Sequence, residues 1–188
     1  MIVKIEEIER ELTEMQESKD KVMQTSREMI RLAGKSITMM HAGNMKDAEG
    51  NLKKISEMAK ELKKFDSRFD YNAQQAHQEY VEALTLYHIL KHGKIPSKSE
   101  AEVDSISYLL GLLDVMGELK REVFECLRKG DVKSADKYYS FMTEIHDSLL
   151  PMRFSSSMMP DFRKKQDVGR IQLESVSSEL LSFRKRRR

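Results

Sequence analysis

A chain of 188 residues with a single cysteine, three prolines and no tryptophan is long enough to bury a core without covalent staples. It cannot close an internal disulfide, which points to a reducing compartment and the cytoplasm. No N-terminal block has the form of a secretion signal, and no apolar run approaches the roughly 20 residues of a membrane helix. Charged residues make up 34% of the chain against a net charge of only +2. Residues 160–188 nevertheless carry nine Lys/Arg and four Asp/Glu, a local +5, leaving −3 for the rest. That asymmetry suits an anionic partner or a solubilising end.

Taken in order, the chain predicts helix after helix. Over about Ile2 to Met40, Ile5, Ile8, Leu12, Met15, Val22, Met29, Ile30, Ala33, Ile37 and Met40 recur at helical spacing and form one stripe. A helix of that length needs partners along its span, from the same chain or a neighbour; His41-Ala-Gly-Asn supplies the stop. A second helix is predicted from about Met45 to Phe65. A third runs from about Asn72 to His92, with Lys91 and His92 in the last turn where cations suit the helix dipole. The segment GKIPSKSEAEVD predicts a polar loop. A fourth helix covers about Ser105 to Lys129, and a fifth runs from Val132 to before Pro151. SSSMMP predicts a loop with an exposed Met pair. The last helix runs from about Asp161 to Phe183, followed by a flexible basic tail over 184–188. No strand pattern competes and no internal repeat is present. The expectation is one domain over 1–188, an all-α antiparallel bundle of six to seven helices.

The most apolar stretch, LLGLLDVMGE (109–118), carries two acids and two glycines. On a helical wheel Gly111, Asp114, Glu118, Arg121 and Glu122 form the one polar strip, with Asp114 and Glu118 one turn apart. The strip is either a narrow solvent edge or the lining of a cavity. Each glycine costs roughly 1 kcal/mol of helix propensity, which is easier to understand where something must approach closely. Glu79 and Glu82 in QEYVEAL form a second pair at i,i+3. Two helices each presenting two carboxylates suit Mg²⁺ or Mn²⁺, hard cations that take oxygen ligands. Arg27, Arg31 and Lys35 fall at i, i+4, i+8, a stripe that suits either an ordinary solvated face or a phosphate backbone. No aromatic residue alternates with it.

Other signals fall away. His88 and His92 have metal spacing, but Ile89 stands where a zinc-protease motif needs Glu. No His has Glu three residues before it, as a di-iron bundle requires. Gly34-Lys35-Ser36 lacks the first glycine of a phosphate loop and lies mid-helix. Cys126 has no feature that points to reactivity.

SREMIRLAGKSITMMH, HQEYVEALTLYHILKHGKI and YLLGLLDVMGELKREV, together with RKGD and FRKKQD…ESVSSEL, resemble the translin family over nearly the whole chain. Within it the likeness is to the catalytic branch typified by translin-associated factor X, in a compact, archaeal-type form with a short loop around Pro96. The resemblance implies a subunit of a hollow homo-octameric shell that encloses RNA, with single-stranded DNA as a second ligand. It implies a Mg²⁺-dependent endoribonuclease, with Mn²⁺ as a substitute, whose metal and catalytic set is Glu79, Glu82, Asp114 and Glu118. Arg27, Arg31 and Lys35 would bind the nucleic acid. The second reading is a shell that binds single strands without cutting them. The chain departs from the family at Ser107, where Asp usually precedes YLLG, and at RKGD, so no GTP site is inferred.

Overall fold

The computed structural model describes residues 5–65 and 70–186. Among them are seven helices and no strand: α1 (Ile5–His41), α2 (Met45–Leu62), α3 (Asp70–His92), α4 (Lys98–Ala101), α5 (Ser105–Lys129), α6 (Val132–Leu149) and α7 (Phe162–Arg186). The long helices form two groups of three, α1–α2–α3 and α5–α6–α7, joined along a seam where α3 lies against α5. None of the described helices is long and apolar enough to cross a membrane.

The apolar stripes close this arrangement. On α5, Val115, Met116, Leu119 and Val123 are completely buried, each worth about 1.5–3 kcal/mol relative to exposure. The stripe on α1 is covered only in part. From Val22 to Met40 it faces the core, whereas Ile5, Ile8 and Leu12 stay exposed. Within this chain the first turns of α1 therefore lack the apolar partner that their pattern demands.

Local chemistry sets the boundaries. Helix α2 stops at Leu62, three residues before the predicted end. The predicted loop around Pro96 holds the short helix α4, started by a capping box in which Ser97 and Glu100 satisfy each other's backbone N–H groups. The Ser-x-x-Glu signature was present in the sequence, but one helical turn has no periodicity to reveal it. Asp104 caps α5 by accepting from the Ser107 N–H at 2.9 Å. The Ser107 hydroxyl is buried and donates to the Gln74 carbonyl at 3.2 Å, tying α5 to α3. RKGD is the corner between α5 and α6. Gly130 takes a left-handed φ of 78°, and Asp131 caps α6 through the Ser134 N–H.

The C-terminal end differs from its prediction. Residues 184–186, expected in a flexible tail, continue α7, with Arg184 paired to Asp136 at 2.6 Å and Arg186 to Glu179 at 2.7 Å. Residues 187–188 lie outside the described residues. The Met pair of SSSMMP also divides: Met158 is exposed, but Met159 is buried in the core.

Candidate functional site

Gly111 fixes the seam. A Cβ built there would stand 2.6 Å from Val81 Cβ and 2.7 Å from the Gln78 carbonyl oxygen. Only glycine lets α3 come this close. The close approach expected from the sequence is therefore made by a neighbouring helix and not by a ligand. Gly117 is different, since its Cβ would make only ordinary contact with Gln172 at 3.4 Å.

The close crossing brings the four predicted carboxylates into one electrostatic neighbourhood. One turn after Gly111, Asp114 accepts from Gln78 Nε2 on α3 at 2.5 Å and from the Lys165 ammonium on α7. Three helices thus converge on one carboxylate. Glu79 and Glu82 on α3 are partly buried and make no hydrogen bond or ion pair among the described residues. Burial pushes the Glu82 carboxyl up to about 8, reinforced by the charges of Asp114, Glu79 and Glu118 and opposed by Lys165. Burial, then Asp114, raises Glu79 in the same direction, again against Lys165. Excess negative charge thus collects at the seam, and Glu82 carries a proton at neutral pH.

Glu118 is held from the other side. His41, the last residue of α1, donates through Nε2 to Glu118 at 2.5 Å and through Nδ1 to Glu122 at 2.6 Å. Two carboxylate acceptors require both ring nitrogens to carry protons. The hydrogen bond to Glu118, then that to Glu122, raises the imidazole to about 9, against the opposing effect of its burial. The same contact, Glu118 to His41, lowers the Glu118 carboxyl.

The donor set fits a hard divalent cation in kind: four carboxyl groups, all oxygen, of which Glu79 and Glu82 are part-buried and in no ion pair among the described residues. Yet no three His, Cys, Asp or Glu side chains among the described residues are arranged around one point as metal ligands. Asp114 and Glu118 are instead neutralised by Lys165 and His41.

The predicted cationic stripe lies where expected. Arg27, Arg31 and Lys35 are all exposed on α1, and Arg31 grips Glu28 on its own helix at 2.7 and 2.6 Å. At about 100° per residue, His41 lies roughly 40° from Arg27 but about 120° from Lys35 around α1, so the stripe winds away from the face that meets the acidic seam. The discarded signals stay structural. His88 and His92 pack edge to face with centroids 5.3 Å apart. The Ser36 hydroxyl is bonded to the Leu32 carbonyl at 2.7 Å. Burial raises the Cys126 thiol above its ordinary value.

Sequence reasoning missed His41, Lys165 and Gln78. His41 was taken only as a helix stop, and Lys165 sits among neighbouring cations in FRKKQD. No spacing rule links residues 41, 114 and 165; only the tertiary crossing does.

The fold has relatives. A family model described as "Translin family" matches residues 2–181. An uncharacterized protein of Methanocaldococcus jannaschii, MJ0175, is 31% identical over 171 residues, covering 88% of this chain and 76% of that protein. Among solved structures, a crystal structure of AfC3PO is similar with a TM-score of 0.91 and 30% identity, covering 98% of this chain and 99% of that one. The structure of an AfC3PO–duplex RNA complex matches at a TM-score of 0.90 and 29% identity, over 98% of both chains. That of apo-NeC3PO matches at 0.88 and 29%, over 97% and 98%. With its acidic seam set in this fold and the family model spanning nearly its whole length, the chain belongs to the translin family.

Proposed function

We propose that this protein is a divalent-metal-dependent endoribonuclease of the catalytic, translin-associated factor X-like branch. The observation that carries the reading is the α3–α5 crossing, which gathers Glu79, Glu82, Asp114 and Glu118 and leaves the part-buried Glu82 carboxyl raised by burial and by three neighbouring carboxylates. Such a group, perturbed by burial and by specific charge partners at a helix crossing, marks a site built for chemistry. The similarity to a protein solved with duplex RNA supports RNA as the partner. The substrate proposed is a single strand or short duplex of RNA, with single-stranded DNA as a second ligand.

Glu79, Glu82, Asp114 and Glu118 would hold Mg²⁺ or Mn²⁺, directly or through water. A cation bound there supplies Lewis acidity toward the scissile phosphate and lowers the pKa of a bound water. The protein's own residues do the rest. Glu82 gives up its proton as the site becomes charge-compensated. Gln78 and Lys165 fix the Asp114 carboxylate, and His41 fixes Glu118. Arg27, Arg31 and Lys35 bind backbone phosphates, with affinity that falls as salt rises and with little sequence preference. The unpartnered turns at Ile5, Ile8 and Leu12 suit contact with further copies, in a cytoplasmic homo-octamer with its sites facing the interior.

The second reading is a non-catalytic shell that binds single strands. The ion pairs that already neutralise Asp114 and Glu118 favour it. Cleavage separates the two. The wild-type protein cuts a short labelled RNA in Mg²⁺ and stops in EDTA, and Glu82→Gln lowers the rate by at least about 100-fold while RNA binding is retained. Absence of wild-type cleavage, or cleavage that persists in EDTA, contradicts the nuclease reading.

A further inference from the structure

A cavity of about 750 Å³ opens where the C-terminal end of α1 meets the second half of α5. It is contiguous with the acidic seam, because His41 lines it and also bonds Glu118. The polar strip of α5 leads into it. At about 100° per residue, Asp114, Glu118, Arg121, Glu125 and Arg128 lie within roughly 80° of one another. Past Glu118 the cavity wall carries four cations, Lys120, Arg121, Arg128 and Lys129, against two acids, Glu122 and Glu125.

The cations are not equivalent. Arg128 and Lys129 pair with Glu125 at 2.6 and 3.2 Å, and they occupy the last turn of α5, where the helix dipole alone explains them. Arg121 lies mid-helix, exposed, and makes no ion pair among the described residues. Lys120 holds its ammonium 5.4 Å from the centroid of the Phe124 ring, which is 37% exposed. A second cavity of about 520 Å³ shares Phe124 and Arg128 and adds Phe183 and Arg186. The groove therefore continues along α5 to the basic end of α7.

The exposed Phe124 ring beside Lys120 and Arg121, neither in an ion pair among the described residues, matches what a single strand offers: phosphates for the cations and an unstacked base for the ring. A duplex keeps its bases stacked and could use only the charges. A protein partner would meet a wall dense in Lys and Arg, although Lys is depleted at protein interfaces.

We propose that this groove binds the single-stranded RNA that flanks the scissile bond, with Arg121 and Lys120 on phosphate oxygens and Phe124 stacking on a base. The assignment of RNA rests on the nuclease reading of the adjacent seam. The test is equilibrium binding without metal, so it stands apart from cleavage. Fluorescence anisotropy in EDTA, with an oligoadenylate of about 20 nucleotides and a blunt RNA duplex of equal length, is read from about 50 to 200 mM salt. Lys120→Ala/Arg121→Ala weakens oligoadenylate binding at least about 10-fold and flattens its log–log salt slope by about 1.4, two phosphate contacts at about 0.7 each. Arg121→Gln alone, at an exposed position, removes about half of that slope, and Arg121→Lys preserves it. Phe124→Leu weakens oligoadenylate binding at least about 5-fold with the slope unchanged. Duplex affinity moves less than about 2-fold in Phe124→Leu, and in the charge variants it falls by less than oligoadenylate affinity does.

An unchanged slope in both Arg121→Gln and the double variant overturns the proposal, as does an equal loss for duplex and single strand. A changed mass in light scattering with unaltered RNA affinity assigns the groove to a protein neighbour instead. Loss of oligoadenylate binding in a wild-type background that cleaves no RNA keeps the groove and removes the nuclease.

Discussion

Glu82 sets the response of the seam to pH. Its carboxyl is raised to about 8 in the fold against about 4.3 in an unfolded chain. Between those values the unfolded chain has released a proton that the folded one retains, so stability falls as pH rises through this window. His41 adds in the same direction. Its imidazole is raised to about 9, so the stability it gives is full below about 6.5 and is lost as pH climbs through 9. Without divalent ions, the melting temperature is therefore predicted to fall from pH 6 to pH 9. Glu82→Gln, which cannot ionise, makes the fall shallower and melts above wild type at pH 8 in differential scanning calorimetry. A melting temperature that rises over this range, or a Gln variant less stable than wild type at pH 8, contradicts the assignment.

At the scale of elements, the α3–α5 crossing depends on one missing side chain. The atoms that a Cβ at Gly111 would strike are Val81 Cβ and the Gln78 carbonyl oxygen, and neither can swing aside as a flexible side-chain end could. Gly111→Ala is therefore predicted to destabilise by about 2–3 kcal/mol, against the gain of roughly 1 kcal/mol that Ala would bring to an open helix. Urea unfolding measures the net sign. A stabilised variant would show that the helices are not in contact at this point.

The helices themselves could be read from sequence because each long stripe repeats over several turns. Helix α5 was placed at its observed limits, since Asp104 and Gly130 mark them chemically. Two parts of the reading failed for physical reasons. Helix α4 is too short to show a period. A glycine in a helix reports that something comes close without naming what, and at Gly111 it is α3 that fills the space. The acidic pairs were visible as i,i+3 and i,i+4 spacings, but His41 and Lys165 were not. They reach the seam from 73 residues upstream and 51 residues downstream of Asp114, a relation that local pattern does not carry.

Over the whole molecule, the two three-helix groups share one apolar core, and four carboxyl groups sit where the groups meet. Lys165 from α7 and His41 from α1 reach into that junction from opposite groups, so the acidic site and the join between the groups are the same place. A cationic surface adjoins it along α5, from Lys120 to Arg128. That layout brings a polyanion to a point where its charge would otherwise be repelled, which is productive only if a cation joins the carboxylates there. The most direct test is a crystal structure soaked in Mn²⁺, with anomalous scattering used to locate the metal. The account predicts a peak between α3 and α5 within about 2.3 Å of oxygens from Glu82 and Asp114, with the Lys165 ammonium displaced from Asp114. A fully soaked crystal with no peak at the seam, and Lys165 and His41 still on Asp114 and Glu118, would contradict it.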